Sequence, residues 1–294
     1  MYAAPMKTAN SIDALRKARA KLKGSIGFVP TMGALHEGHV SLMRRSAKEN
    51  KHTIVSIFVN PSQFGPSEDL AKYPRTLKDD LAFCKKAGVD LVFTPTSEMI
   101  YPKGYDTWVE VSELSKPMCG EFRPGHFKGV ATVVCKLFNL VQPTRAYFGR
   151  KDAQQLAVLT RMVADLNMSL EVVPCETVRE PDGLAMSSRN RYLSASERER
   201  ALCISRALFE VQRRYERGER DVSHLTSVME SALGAEMDEV QYADVRRLAD
   251  LTEFGDKIDA PALAAVAGYV GSTRLIDNVV LGDQRKTQNA KRKK

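Results

Sequence analysis

Phe28-Val29-Pro30-Thr31-Met32-Gly33-Ala34-Leu35-His36-Glu37-Gly38-His39 is a short apolar run that ends in a turn and then presents two histidines three residues apart. The run reads as a buried strand and the histidines as the first turn of the helix that follows. A helix start leaves backbone N–H groups unpaired and carries positive partial charge, so it welcomes an anion. Spacing of three puts His36 and His39 on one face, and Gly38 lets a ligand approach the backbone without meeting a Cβ. The pattern predicts a phosphate site suited to ATP. A surface pair or half of a zinc site are the alternatives, but the remaining histidines, His52, His126 and His224, are scattered and offer no further ligands at usable spacing. Neither a G-x-x-x-x-G-K-[ST] loop nor a G-x-G-x-x-G turn occurs, which argues against a P-loop kinase and a simple dinucleotide dehydrogenase. Nucleotidyl transfer remains.

Outward from this stretch, apolar runs alternate with helical patterns through roughly the first 180 residues. Ile26 to Val29, Ile54 to Val59, Leu91 to Phe93 and Ala146 to Phe148 are candidate buried strands. Helices are expected after His39, around Leu77 to Lys86, from Thr132 to Val141 and from Ala153 to Leu166. Such alternation predicts an α/β fold, a Rossmann-like parallel sheet with helices on both faces. Ligands of such sheets sit at the carboxyl ends of the strands, where the turns at Pro30, Asn60-Pro61 and Gly149 emerge. After Ser194 two mostly charged helical stretches, about Ser196 to Arg217 and Val222 to Leu233, precede strand-like runs at Val240 to Val245, Leu263 to Tyr269 and Leu275 to Leu281. The expected division is therefore 1–185 as the nucleotide-binding domain, 186–284 as a smaller C-terminal α+β lid and 285–294 as a basic, solvated tail.

Composition fits this division. A chain of 294 residues with 43% hydrophobic content can bury a large core, and nothing long and apolar suggests a membrane span. Ile12, Leu15, Ala18 and Leu22 lie at helical spacing in an N-terminal segment without an apolar signal core; its basic character could mimic a transit peptide, but a cytoplasmic location is expected. The five cysteines form no C-x-x-C pair and read as reduced thiols. Much of the net charge of +8 comes from Lys286 and Lys291 to Lys294, so no nucleic-acid partner is inferred from it.

Further blocks point to a family. Asp182-Gly183-Leu184-Ala185-Met186-Ser187-Ser188-Arg189-Asn190 reads alone as turn chemistry ahead of a helix capped near Ser194 or Ser196. Paired with the upstream histidines it resembles the second phosphate loop of the adenylate-forming superfamily that includes class I aminoacyl-tRNA synthetases. Phe58-Val59-Asn60-Pro61-Ser62-Gln63-Phe64, Tyr73 to Thr76, Arg123-Pro124-Gly125-His126-Phe127-Lys128-Gly129-Val130, Lys136 to Asn139, Phe148 to Leu156 and Gly268 to Asn278 complete the pattern. In this order, from about Ser25 to Leu281, they resemble the pantothenate synthetase (pantoate–β-alanine ligase) family.

The resemblance implies ATP-dependent condensation of (R)-pantoate with β-alanine through pantoyl adenylate, with AMP and pyrophosphate released, Mg²⁺ accompanying ATP, and a homodimer. It implies nucleotide contacts from Met32, Gly33, Ala34, Leu35, His36, Glu37, Gly38 and His39, with His39 as the proton-donating member of the pair. Lys151 would offer its ammonium to the phosphates, beside Gly149, Arg150 and Asp152, and Val178 would meet adenine through its backbone. Met186 would lie against the nucleotide, and Ser187, Ser188 and Arg189 would hold the phosphates that leave. Gln63 and Gln155 are the implied pantoate ligands, since a primary amide both donates and accepts. Asn60 is expected to brace its loop. Protein ligands for Mg²⁺ stay unassigned, since magnesium that accompanies ATP is often held mainly by phosphates and water; Asp79 and Asp80 are the carboxylates considered. Arg150 stands where the family commonly has Glu, a reversal beside the phosphate lysine. A different nucleotidyltransferase would share the paired histidines but would not need the Asn60 to Phe64 block or Gln155; a nucleic-acid-binding protein would explain the basic tail, but a synthetase-like tRNA reader would need an added recognition domain that 294 residues hardly allow.

Overall fold

The computed structural model describes residues 5–66 and 68–282, so the expected tail at 285–294 lies outside the described residues. By contacts the chain divides into two units. One runs to Lys116 and continues as Arg123–Val178; the other takes Pro117–Phe122 and the residues from Arg179 onward.

The first unit holds β1 (Lys7–Ala9), α1 (Ile12–Ala20), β2 (Ile26–Thr31), α2 (Glu37–Glu49), β3 (His52–Ile57), α3 (Leu77–Lys86), β4 (Leu91–Phe93) and the short α4 (Ser97–Ile100). The short α5 (Cys119–Phe122) belongs to the second unit, and the first resumes with α6 (His126–Val141), β5 (Arg145–Gly149), α7 (Ala153–Asp165) and β6 (Glu171–Cys175). Six strands lie in the order β1-β4-β3-β2-β5-β6, all parallel.

Both faces of this sheet are covered, as neighbouring residues of one strand show. Successive side chains of a strand point to opposite faces. In β2, Val29 packs with Val40 and Met43 of α2 and Cys84 of α3, while Phe28 meets the ring edge of Phe138 on α6. The pattern repeats in β5, where Tyr147 joins the α2 side and Phe148 meets Phe138. Phe28 and Tyr147 are fully buried, each contributing about 1.5–3 kcal/mol of hydrophobic stabilisation before entropy is counted.

The strand order reverses between β2 and β5, the topological switch point at which ligands of open α/β sheets bind. These two strands pair only at Gly27↔Arg145 and Phe28↔Ala146. Beyond that they part: β2 continues beside β3 to Thr31↔Ile57, and β5 continues beside β6 to Gly149↔Cys175. The split opens a crevice at the carboxyl ends and frees Pro30, which has no N–H, from any ladder on the β5 side. Pro174 is tolerated in β6 because that strand is at the sheet edge.

The second unit carries α8 (Ala195–Glu216), α9 (Val222–Gly234), β7 (Glu239–Arg247), β8 (Ala262–Val270) and β9 (Thr273–Leu281). The three strands form an antiparallel sheet with β8 central. Its core joins Ile204 and Leu208 of α8 and Met229 of α9 to Ala264, Val266 and Leu275 of the sheet. α8 starts with a capping box, in which Ser194 Oγ accepts from Glu197 N and Glu197 accepts from Ser194 N. All five cysteines are free thiols. Among the described residues no helix is long and apolar enough to cross a membrane.

Candidate active site

The chain leaves β2 through a turn that its side chains fix from below. Thr31 Oγ1 donates to Ser56 O (2.8 Å) and accepts from Gly33 N (3.3 Å). Gly33 and Ala34 both have positive φ, +84° and +49°, a region that disfavours side chains. What holds Ala34 there is Asp80, only 1% exposed on the first turn of α3. Its carboxylate accepts from Ala34 N at 3.2 Å and Leu35 N at 2.8 Å. Thr76 Oγ1 stands 3.3 Å from each oxygen. Asp80 is thus committed to the loop, and among the described residues no group of three or more His, Cys, Asp or Glu is placed to hold a metal ion.

His36 is the N-cap of α2, and the two histidines form a reciprocal capping box. Gly38 N donates to His36 Nδ1 (3.2 Å), and His36 N donates to His39 Nδ1 (3.4 Å). With each Nδ1 accepting a backbone N–H, each neutral ring carries its proton on Nε2. The rings stand 4.1 Å apart at 44°. Burial, and then repulsion from His36 were it protonated and from the Lys151 ammonium, hold His39 well below the usual imidazole range. His39 is therefore a neutral hydrogen-bond donor at pH 7. Glu37 is exposed and paired with Arg44.

Lys151 enters from the other side of the crevice, on the short 3-10 turn Arg150–Asp152 that follows β5. Its charge acts on His39, so the residues after β2 and those after β5 converge. Arg150 lies 3.4 Å from the Glu176 carboxylate in the turn after β6, and that pair answers the reversed charge at this position. Gly149 ends β5, Asp152 leads into α7, and Val178 is half-buried just past β6. Of the two adjacent glutamines on α7, Gln154 is buried and donates to Leu114 O (3.0 Å), whereas the half-buried Gln155 makes no side-chain hydrogen bond among the described residues.

After β3 the Asn60 to Gln63 turn rests on α6. Asn60, 1% exposed, donates from Nδ2 to Gln63 Oε1 (3.0 Å) and Gly129 O (3.3 Å). The contact requires a glycine at 129, since a Cβ there would lie 2.6 Å from Ser62 C and 2.8 Å from Gln63 N. The Gln63 carbonyl is held as well, accepting from His126 Nδ1 (2.8 Å) and Arg123 Nη2 (3.2 Å). Arg123 in turn forks onto Glu68 at 2.8 and 2.6 Å. Arg123 Nη1, always a donor, faces His126 Nε2 at 3.1 Å, so His126 is neutral with its proton on Nδ1. Burial and the Arg123 charge push its pKa down to about 4. The motif Arg123 to His126 was part of the sequence pattern, but nothing in it marks Arg123 or His126 as holding the Gln63 carbonyl, and Asp80 was considered only for Mg²⁺, not as the brace of the loop after β2.

In the second unit the loop with Met186, Ser187, Ser188 and Arg189 is braced by its own surroundings. An isolated bridge joins Arg179 to Ala185, and Arg179 forks onto the buried Asp277 at 2.5 and 3.1 Å. Asn190 donates to Glu180 (2.8 Å) and to Ala185 O (3.1 Å). Ser187 Oγ accepts from Arg189 N (3.2 Å) and caps the 3-10 turn Ser188–Tyr192. Met186, Ser187, Ser188 and Arg189 remain half-buried.

Comparison with known proteins identifies relatives over most of the chain. The protein-family description Pantoate-beta-alanine ligase matches residues 6–280. Over 279 residues the chain is 53% identical to pantothenate synthetase 1 of Bradyrhizobium diazoefficiens, spanning 94% of this chain and 98% of that one. It is 52% identical over 277 residues to the pantothenate synthetase of Roseiflexus castenholzii, spanning 94% and 99%. The crystal structure of pantothenate synthetase from Thermus thermophilus is similar with a TM-score of 0.88 at 47% identity, covering 93% of this chain and 99% of that one. Pantoate-beta-alanine ligase from Francisella tularensis, complexed with beta-gamma ATP and beta-alanine, is similar with a TM-score of 0.76 at 35% identity, covering 94% and 97%.

Proposed function

This chain belongs to the pantoate–β-alanine ligase family, and we propose that it condenses (R)-pantoate with β-alanine at the expense of ATP through pantoyl adenylate. The observation that supports this most directly is the convergence of His36, His39 and Lys151 where β2 and β5 part.

A free carboxylate resists an amine because its leaving group would be oxide. Attack of a pantoate oxygen on the α-phosphorus forms the new O–P bond and releases pyrophosphate. The amine of β-alanine then forms the C–N bond, and AMP leaves. No protein nucleophile is required; the chain aligns reactants and stabilises charge. His36 and His39 donate from Nε2 to the triphosphate, and Lys151 adds a mobile ammonium. The turn Met32 to Leu35 and Gly38 let the nucleotide lie against the backbone, with Gly149, Asp152 and Val178 on its adenosine side. Ser187, Ser188 and Arg189 bind the departing pyrophosphate, and Met186 packs on the nucleotide. Gln63 and Gln155 bind pantoate. Mg²⁺ belongs to the same reading and would come held by phosphate and water, since Asp80 is engaged by the loop. A cytoplasmic location is supported by five free thiols, and a homodimer by the family resemblance.

Product analysis tests the reaction. With ATP, Mg²⁺, pantoate and β-alanine, the protein should yield pantothenate, AMP and pyrophosphate in equal amounts. ADP in place of AMP, or no pantothenate, would contradict it.

A further inference from the structure

Gln63 can meet a substrate with either end of its amide, and the network behind it decides which. Gly129 O is a carbonyl and only accepts, so the Asn60 atom 3.3 Å from it must be the NH₂ group. The other end of the Asn60 amide is then its oxygen, and the surroundings agree. Oδ1 faces Ser62 N at 3.4 Å, Ser62 Oγ at 2.9 Å and Tyr101 OH at 2.8 Å. Ser62 Oγ and Tyr101 OH are themselves 2.8 Å apart. These two hydroxyls have one proton each and cannot both donate to each other, so every allowed arrangement sends at least one proton to Asn60 Oδ1. Asn60 Nδ2 in turn faces Gln63 across 3.0 Å, so the Gln63 atom there must be its oxygen. The Gln63 Nε2 group makes no hydrogen bond among the described residues and is the end left for a ligand.

We propose that Tyr101, through Asn60, is a positioning residue that fixes Gln63 as a hydrogen-bond donor, so that Gln63 reads an acceptor oxygen of pantoate. Tyr101 sits 41 residues from Asn60 in sequence, and among the described residues its hydroxyl bonds to Asn60 and Ser62, neither of them read as a substrate ligand. The inference rests on the reading of Gln63 as a pantoate ligand. It adds polarity to that reading: a carboxylate or hydroxyl oxygen is favoured at Nε2, and a group that can only donate is rejected. The backbone grip of Arg123 and His126 on Gln63 O sets where the residue lies, and the Tyr101 hydroxyl reinforces, beside Gly129 O and Ser62, the way the Asn60 and Gln63 amides face.

The test is steady-state kinetics on Tyr101→Phe and Gln63→Glu. Phe keeps the ring that stacks on Trp108, the one tryptophan of the chain (centroids 6.2 Å, 23°), so unchanged Trp108 emission reports intact packing. Tyr101→Phe should raise KM for pantoate about five- to tenfold, the worth of roughly one hydrogen bond. KM for ATP and kcat should stay within about twofold, a split that general loosening would not give. Gln63→Glu keeps an oxygen for Asn60 but replaces the donor with a carboxylate facing pantoate. Its kcat/KM for pantoate should fall at least about 100-fold, as expected when a charged acceptor is left facing another acceptor. A pantoate KM unchanged in Tyr101→Phe, or raised together with that for ATP, overturns the inference, as does a Gln63→Glu variant that binds pantoate normally. Failure of the unaltered protein to use pantoate at all would instead sink the functional reading, and this inference with it.

Discussion

Asp80→Asn is the perturbation whose cost can be worked furthest from the structure. The carboxylate accepts Leu35 N at 2.8 Å and Ala34 N at 3.2 Å in a site that is 1% exposed. Asparagine keeps one oxygen, so one backbone bond survives as a neutral one. Its NH₂ group must then face the other N–H, and two donors meet in the interior. Loss of a charge-assisted bond costs roughly 1.5–3 kcal/mol and a buried unsatisfied donor about 1–3 kcal/mol more. A destabilisation of about 3–5 kcal/mol follows, or a fall in Tm of about 6–20 °C at roughly 2–4 °C per kcal/mol for a unit of this size. Because Ala34 is held at positive φ, the released loop should relax, and KM for ATP should rise about tenfold or more, the worth of one kcal/mol-scale positioning contact. The assay is calorimetry beside initial rates over a range of ATP and Mg²⁺. A Tm within about 2 °C of the parent, on the scale of a neutral surface change, would refute the bracing role. A shifted Mg²⁺ requirement without loss of stability would assign Asp80 to the metal instead.

Two further outcomes follow from the same geometry. Lys151→Ala should lower the adenylation rate at least about 100-fold, roughly 2.7 kcal/mol of transition-state stabilisation, while leaving folding nearly intact; rapid-quench measurement of the first turnover checks it. His126 has its pKa pushed down to about 4 from 6.5, so between these values the unfolded chain takes up a proton that the folded one refuses. Stability on its account is complete above about pH 6.5 and falls as pH drops toward 4, by up to roughly 3 kcal/mol. Urea melts at pH 7 and pH 5 should show the loss, and His126→Asn, which keeps a donor for Gln63 O, should flatten it.

Local patterns were legible in the sequence, and contacts between distant segments were not. The helix expected around Leu77 to Lys86 has those bounds, because its apolar period is uninterrupted. α6 was expected from Thr132 but starts at His126, where Gly125 turns the chain in a left-handed conformation. Gly129 broke the helical pattern there, yet it is needed for the Ser62-Gln63 backbone to rest on the helix. β1 went unread because Lys7–Ala9 is too short for a period and is defined by pairing with β4. His36 and His39 announced themselves through spacing within one turn. Asp80 did not, since its backbone partners lie 46 and 45 residues away, and nothing local separates it from an ordinary acid in the first turn of a helix.

The most direct test of the central claim isolates the first half-reaction. With ATP, Mg²⁺ and pantoate present and β-alanine absent, the protein should exchange labelled pyrophosphate into ATP, and omission of pantoate should abolish the exchange. His39→Ala and Ser188→Ala should weaken it, and Gln155→Ala should chiefly raise the pantoate concentration it needs. No pantoate-dependent exchange from a protein that still makes pantothenate would contradict the adenylate route.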